Sequence, residues 1–331
     1  MAKDAVFKIK APILFAHRGG ACEVPESTWE AFEHAVIKAK VDILELDVQL
    51  TKDNQIVVWH GPSLNNVWIE DLSPSLAQRK QKKKTDIMQF SWGDLKDKAW
   101  VIEPVYSSVE DIREEKVKKI PQRKLILLSD FLDNVNRFDT DEKKIPINIE
   151  MKGEKIPGIS SSKFLNRKIM RTFVELLESK GNGRTILVAS TKKRVLDRFV
   201  EMGGRFPINV PMSEQLGYLT KVRPWYLRTA GRLLQIFPSI RRGIDLRDRA
   251  FQTSHHLLTQ SLVDEVHKVH GAIHVFLTKF AFFKPLIKDK NMDEQVLKTA
   301  LFKLLETGVD GIMTDYPVLV SNVLNEWKSS H

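Results

Sequence analysis

Short apolar runs alternate with helix-period segments eight times along this chain, and that alternation constrains the fold more than any other feature. Strands read near 13–16, 42–48, 146–151, 185–189, 207–210, 250–253, 272–277 and 311–313. Helices read near 28–39, 129–138, 162–179, 191–202, 213–236, 259–270, 292–307 and 317–328. Eight of each predicts an α/β protein built as a (β/α)8 TIM barrel. A chain of 331 residues with 42% hydrophobic content suits one such domain over 1–331. Residues 61–128 are too long for a plain connection and contain Trp68, Trp92 and Trp100. They read as an insertion near the barrel mouth, either gating it or forming a peripheral unit with a small core of its own.

The apolar runs end in polar groups where a parallel barrel places its chemistry. Ile13-Leu14-Phe15-Ala16 leads into His17-Arg18, Asp42-Ile43-Leu44 into Glu45, and Ile56-Val57-Val58-Trp59 into His60. Glu45 and Asp47 are two apart, so on a strand both carboxylates face one side, about 6–7 Å apart along the backbone. Two anions facing one space call for a cation, and oxygen donors favour Mg²⁺ or Ca²⁺ over zinc. Glu150, in the similar run Ile147-Asn148-Ile149-Glu150-Met151-Lys152, is the best candidate for a third ligand. Lys152 is placed to face the same cavity as a counter-charge to phosphate.

Taken in order, these segments resemble the glycerophosphodiester phosphodiesterase family. Its HRG, PENT-like, ExD, TKDG-like and HD elements correspond here to His17-Arg18-Gly19, Pro25-Glu26-Ser27-Thr28, Glu45-Leu46-Asp47, Thr51-Lys52-Asp53-Asn54 and His60-Gly61. The likeness resumes at Glu150-Met151-Lys152 and at Gly308–Pro317. Two departures stand out: Gly61 where the family has Asp, and Ile273-His274-Val275-Phe276-Leu277-Thr278 where it carries a tryptophan-bearing segment. The resemblance implies the same barrel, with the insertion capping the substrate. It implies hydrolysis of glycerophosphodiesters to glycerol 3-phosphate and an alcohol, on one divalent cation held by Glu45, Asp47 and Glu150. Arg18 and Lys152 would bind phosphate oxygens, and His17 and His60 would share acid–base duty, with His17 first assigned as base and His60 as acid and the reverse left open. Glu26 is implied to lie close to the active site. Asp315 reads as the holder of a turn, and His34, His255, His256, His267, His270, His274 and His331 as scaffold or surface.

The net charge of +10 suggests an acidic partner. It concentrates within 213–249, where Lys221, Arg223, Arg228, Arg232, Arg241, Arg242, Arg247 and Arg249 alternate with Trp225, Tyr226, Leu233, Leu234, Ile236 and Phe237. That mixture reads equally as a surface helix or as an interfacial segment in peripheral contact with anionic membrane. The second reading raises an alternative activity, lysophospholipase D-like cleavage of lysophospholipids. The run Arg79–Lys84 lacks any accompanying nucleic-acid motif, so no nucleic-acid partner is expected. A single cysteine, Cys22, excludes an internal disulfide and reads as structural. With no apolar leader among Met1–Lys10 and no spanning run, a cytoplasmic protein is expected.

Overall fold

The computed structural model describes residues 12–64, 66–70, 86–102, 119–141, 143–152, 162–211, 249–255, 258–268, 271–277, 282–283, 287–288, 291–292 and 294–330. Eight strands form the barrel: β1 Ile13–Ala16, β2 Ile43–Leu50, β3 Ile147–Met151, β4 Ile186–Ala189, β5 Ile208–Pro211, β6 Arg249–Ser254, β7 Ala272–Leu277 and β8 Gly311–Thr314. Each pairs in parallel with the next, and β8 pairs with β1 through Ile13↔Gly311 and its successors, closing the ring. The expected (β/α)8 architecture is therefore present.

Seven helices of the barrel lie among the described residues: α1 Trp29–Ile37, α2 Leu128–Asn134, α3 Arg167–Lys180, α4 Lys193–Glu201, α5 Gln260–Lys268, α6 Glu294–Leu305 and α7 Pro317–Ser330. The helix read at 213–236, most of the basic segment 213–249 and the run Arg79–Lys84 lie outside them. Thr28 opens α1 as the sequence indicates, its Oγ1 accepting from Ala31 N at 3.1 Å. The helix read from 162 begins later, because Lys163–Leu165 form a 3-10 turn and Asn166 supplies the cap to Lys168 and Ile169. None of the described helices is long and apolar enough to cross a membrane.

Alternation along the strands divides the side chains between two environments. Leu44, Leu46 and Val48 of β2 pack outward beneath the helices with Ile147, Ile149, Ile186 and Val188. Ile13, Phe15, Ile43, Leu187, Ala272 and Met313 point inward and plug the lower barrel. Outside the barrel, Trp29 of α1 stacks on Phe131 of α2 at 5.3 Å, with Phe32 edge-on to Phe131 at 4.9 Å. The described part of 61–128 carries its own small core of Leu64, Val67, Ile69, Ile87, Leu95, Ala99 and Val101, packed on Val57 and Trp59. It includes an antiparallel hairpin, Val67–Ile69 with Ala99–Val101. The strand Ile56–Val58, antiparallel to β2, ties this unit to the barrel.

Among the polar side chains deep in the interior is a histidine. His274 of β7 is fully buried against Phe15, and neither ring nitrogen has a hydrogen-bond partner. Burial favours the neutral ring, and its pKa falls from 6.5 to about 4. An unfolded chain binds this proton below about pH 6.5 while the folded chain does not, so stability is present above that value and is lost as pH falls toward 4. Unfolding titrations of His274→Phe should lack this contribution, about 3 kcal/mol in the wild type between these limits. An identical pH slope in both proteins would show that the ring is solvated.

Candidate active site

At the carboxyl end of the barrel, β1 stops at Ala16 and the chain turns through His17–Gly19. Arg18 adopts a left-handed conformation, φ 52°, uncommon for a side-chain-bearing residue and a form of strain found at functional sites. Gly19 follows at φ +81°, pressed so close to α1 that a Cβ there would lie 2.6 Å from Ala31 Cβ. The strained turn is held by the barrel beneath it. Arg18 N donates to Glu45 Oε2 at 2.8 Å, Nε to Asp47 Oδ2 at 2.9 Å and Nη1 to Glu26 Oε2 at 2.9 Å. Glu26 thus orients the arginine, in keeping with its expected place near the site.

Glu45 and Asp47 both face the barrel interior, as their spacing predicts, and both are buried. Parallel register sets Asp47 beside Glu150 of β3. Lys152 lies between them, its Nζ 2.8 Å from Asp47 Oδ1 and 2.9 Å from Glu150 Oε1. Its ammonium therefore pairs with both carboxylates at once. His17, Glu45 and Asp47 offer ligand atoms within 4.8 Å of one another. Glu150 is outside that group and meets it through Lys152.

The electrostatics are those of crowded anions. Burial raises the Glu45 carboxyl well above its usual range, and the charges of Asp47 and Glu150 push it further. Glu150 is raised too, by burial and by Asp47, against the pull of Lys152. Burial opposes the Asp47 charge, but Lys152 and Arg18 outweigh it and hold that carboxyl below the carboxylate range. Burial likewise opposes the charges on Arg18 and Lys152, yet their acidic partners raise both. Glu26, Glu45, Asp47, Glu150 and Asp315 outnumber Arg18 and Lys152 around this point. A divalent cation, bound by hard oxygen donors, fits such a set.

The histidines occupy different settings. His17 Nδ1 lies 2.5 Å from Asp315 Oδ1, and because a carboxylate only accepts, Nδ1 carries the proton. Asp315 therefore does more than hold the turn assigned to it from sequence: it fixes the ring and tautomer of His17. The signal was present in Gly308–Pro317, which ends on β8 beside β1, but only closure of the barrel joins positions so distant. His60 follows Ile56–Val58, where Trp59 N donates to Asp47 O at 3.0 Å. Burial presses the His60 imidazole down to about 3, with Arg18, Lys152 and His17 acting in the same sense and Asp47 opposing them. Phe276 of β7 lies against His17 with ring centroids 4.4 Å apart, where the sequence departs from the aromatic pattern of the resembling family.

The sequence signature of the glycerophosphoryl diester phosphodiesterase family matches residues 17–319. Lysophospholipase D GDPD1 of Homo sapiens is 52% identical over 62 residues, 17% of this chain and 19% of that protein. A glycerophosphodiester phosphodiesterase of Bacillus altitudinis is 52% identical over 52 residues, 16% of this chain and 21% of that protein. The chain thus matches about a fifth of the length of these relatives. Among solved structures, a putative glycerophosphoryl diester phosphodiesterase from Silicibacter pomeroyi DSS-3 superposes with TM-score 0.68 at 18% identity, covering 99% of this chain and 98% of that one. An Oleispira antarctica phosphodiesterase in complex with the product sn-glycerol-3-phosphate superposes with TM-score 0.58 at 16% identity, covering 95% and 97%. At such identities the structural likeness establishes the fold.

Calorimetric titration with Mg²⁺, Ca²⁺ or Mn²⁺ should detect one tight site in the wild type. Glu45→Gln and Asp47→Asn should each weaken it by about 10-fold or more. Unchanged affinity in both variants would place cation binding elsewhere.

Proposed function

Because this chain belongs to the glycerophosphoryl diester phosphodiesterase family, we propose that it is a phosphoric diester hydrolase that cleaves glycerophosphodiesters to glycerol 3-phosphate and an alcohol. The observation that carries this reading is the convergence of His17, Glu45 and Asp47 at one buried point, with Arg18 and Lys152 beside them. A diester resists attack because its anionic oxygens repel a nucleophile, so the site must supply positive charge and move two protons. Glu45 and Asp47 would hold a divalent ion, with Glu150 beside them, leaving His17 Nε2 for proton transfer. Such an ion, when bound, supplies Lewis-acid neutralisation of the phosphate. Arg18 keeps Nη2 without a partner among the described residues, available to a phosphate oxygen.

The proton roles follow from the two environments. His60 is neutral at physiological pH, as a group that accepts a proton from the attacking oxygen must be. His17 keeps its Nδ1–H on the Asp315 carboxylate, and when Nε2 is protonated as well, that carboxylate is the counter-charge of an imidazolium whose Nε2–H is delivered to the leaving alkoxide. This reverses the order first assigned from sequence: His60 serves as base and His17 as acid. Two imidazoles in different electrostatic settings can divide these tasks within one cavity.

Soluble diesters are the leading substrates. The human relative's name keeps lysophospholipids as the second reading, with any interfacial contact assigned to the basic segment 213–249. The deciding assay follows turnover of glycerophosphocholine and lysophosphatidylcholine with Mg²⁺, with Ca²⁺ and with chelator. Chelator-sensitive release of glycerol 3-phosphate from glycerophosphocholine is expected, lowered about 100-fold or more in His17→Ala and in His60→Ala. No turnover of either diester by the metal-loaded protein would contradict the proposal, and preferential cleavage of lysophosphatidylcholine would favour the second reading.

A further inference from the structure

The loop that carries His17 is pinned at several points to the junction between β8 and α7. Cys22 N donates to Asp315 O at 3.1 Å. Gly20, at φ +107°, packs so tightly that a Cβ there would lie 2.9 Å from Pro317 Cγ. The third contact is made by Glu23, a residue outside the catalytic motifs. Its Oε1 accepts from Val318 N at 3.1 Å and from Leu319 N at 3.4 Å, while Oε2 lies 3.3 Å from Val318 N and accepts from His34 Nε2 of α1 at 2.9 Å.

The first turn of a helix has backbone N–H groups with no intrahelical acceptor. Pro317 has no N–H to satisfy, so Val318 and Leu319 present the first donors of α7. Glu23 takes both, acting as a cap from a loop nearly 300 positions distant in sequence, and its negative charge suits the positive end of the helix dipole. Only Tyr316 separates Asp315 from Pro317. Whatever fixes the start of α7 therefore fixes the carboxylate bonded to His17.

We infer that Glu23 is a positioning residue of the active site: by capping α7 it holds the Asp315 carboxylate against His17 Nδ1. The inference rests on the hydrolase reading only for its consequence in turnover. Its physical content is the orientation and tautomer of one ring. With the cap removed, the first turn of α7 frays, Asp315 gains freedom, and His17 loses its fixed orientation. Substrate binding through Arg18 and Lys152 is left intact, so the loss falls on kcat rather than on KM.

The test compares Glu23→Ala, Glu23→Gln, Asp315→Asn and the double variants on the metal-loaded protein. Glu23→Ala should lower kcat about 10-fold with KM within about twofold, as expected when a catalytic group is displaced without loss of binding. Glu23→Gln keeps an acceptor for Val318 N–H and should recover most of that loss. On an Asp315→Asn background, Glu23→Ala should cost little more, because the two act through one contact. Nitrogen-15 spectra of the His17 ring supply a readout that needs no turnover, so the inference stands or falls separately from the hydrolase reading. The wild-type ring should be protonated at Nδ1, and Glu23→Ala should show mixed tautomers. A wild-type tautomer and kcat in Glu23→Ala, or losses that multiply fully in the double variant, would overturn it.

Discussion

Burial of like charges at one point is the constraint on which the upper half of this barrel depends. Glu45, Asp47 and Glu150 are brought inward by strand alternation and parallel register, and none is free to turn to bulk solvent. Isolated buried carboxylates are costly, so each must find compensation or take up a proton. Lys152 and Arg18 supply part of it, and Asp47 is the chief beneficiary. Glu45 remains the least compensated, with its pKa pushed upward. In its left-handed backbone conformation Arg18 reaches Glu45, Asp47 and Glu26 together.

Closure of the ring supplies the second constraint. β8 lies against β1, so the loops leaving them are neighbours despite standing at opposite ends of the chain. Asp315 on one loop and His17 on the other form a pair that local sequence cannot specify. Glu23 and Pro317 belong to the same seam, where the first and last helices are joined through a carboxylate and His34. The packing that shuts the barrel thus also holds the ring of His17.

Much of this was legible before any coordinates. Strand positions were readable because strands buried on both faces appear as short apolar runs, and the polar residue ending each run marks the catalytic rim. That Glu45 and Asp47 share one side of their strand followed from a two-residue spacing alone. Long-range pairings were less accessible. Asp315 was assigned a turn because its partner is nearly 300 residues away, and the different electrostatic settings of His17 and His60 arise from charges that converge only in three dimensions. Glu23 lacked any local signature, since a helix cap normally comes from the residue just before the helix. His274 gave no sign in sequence that its ring would be sealed in the barrel without a hydrogen bond.

The account stands most directly on where a divalent ion binds. Crystals soaked in Mn²⁺ and measured at its absorption edge should show one strong anomalous peak at the barrel mouth, within about 2.0–2.4 Å of oxygens from both Glu45 and Asp47. A peak remote from those carboxylates, or Lys152 filling the space between them with no ion bound at saturating Mn²⁺, would contradict it.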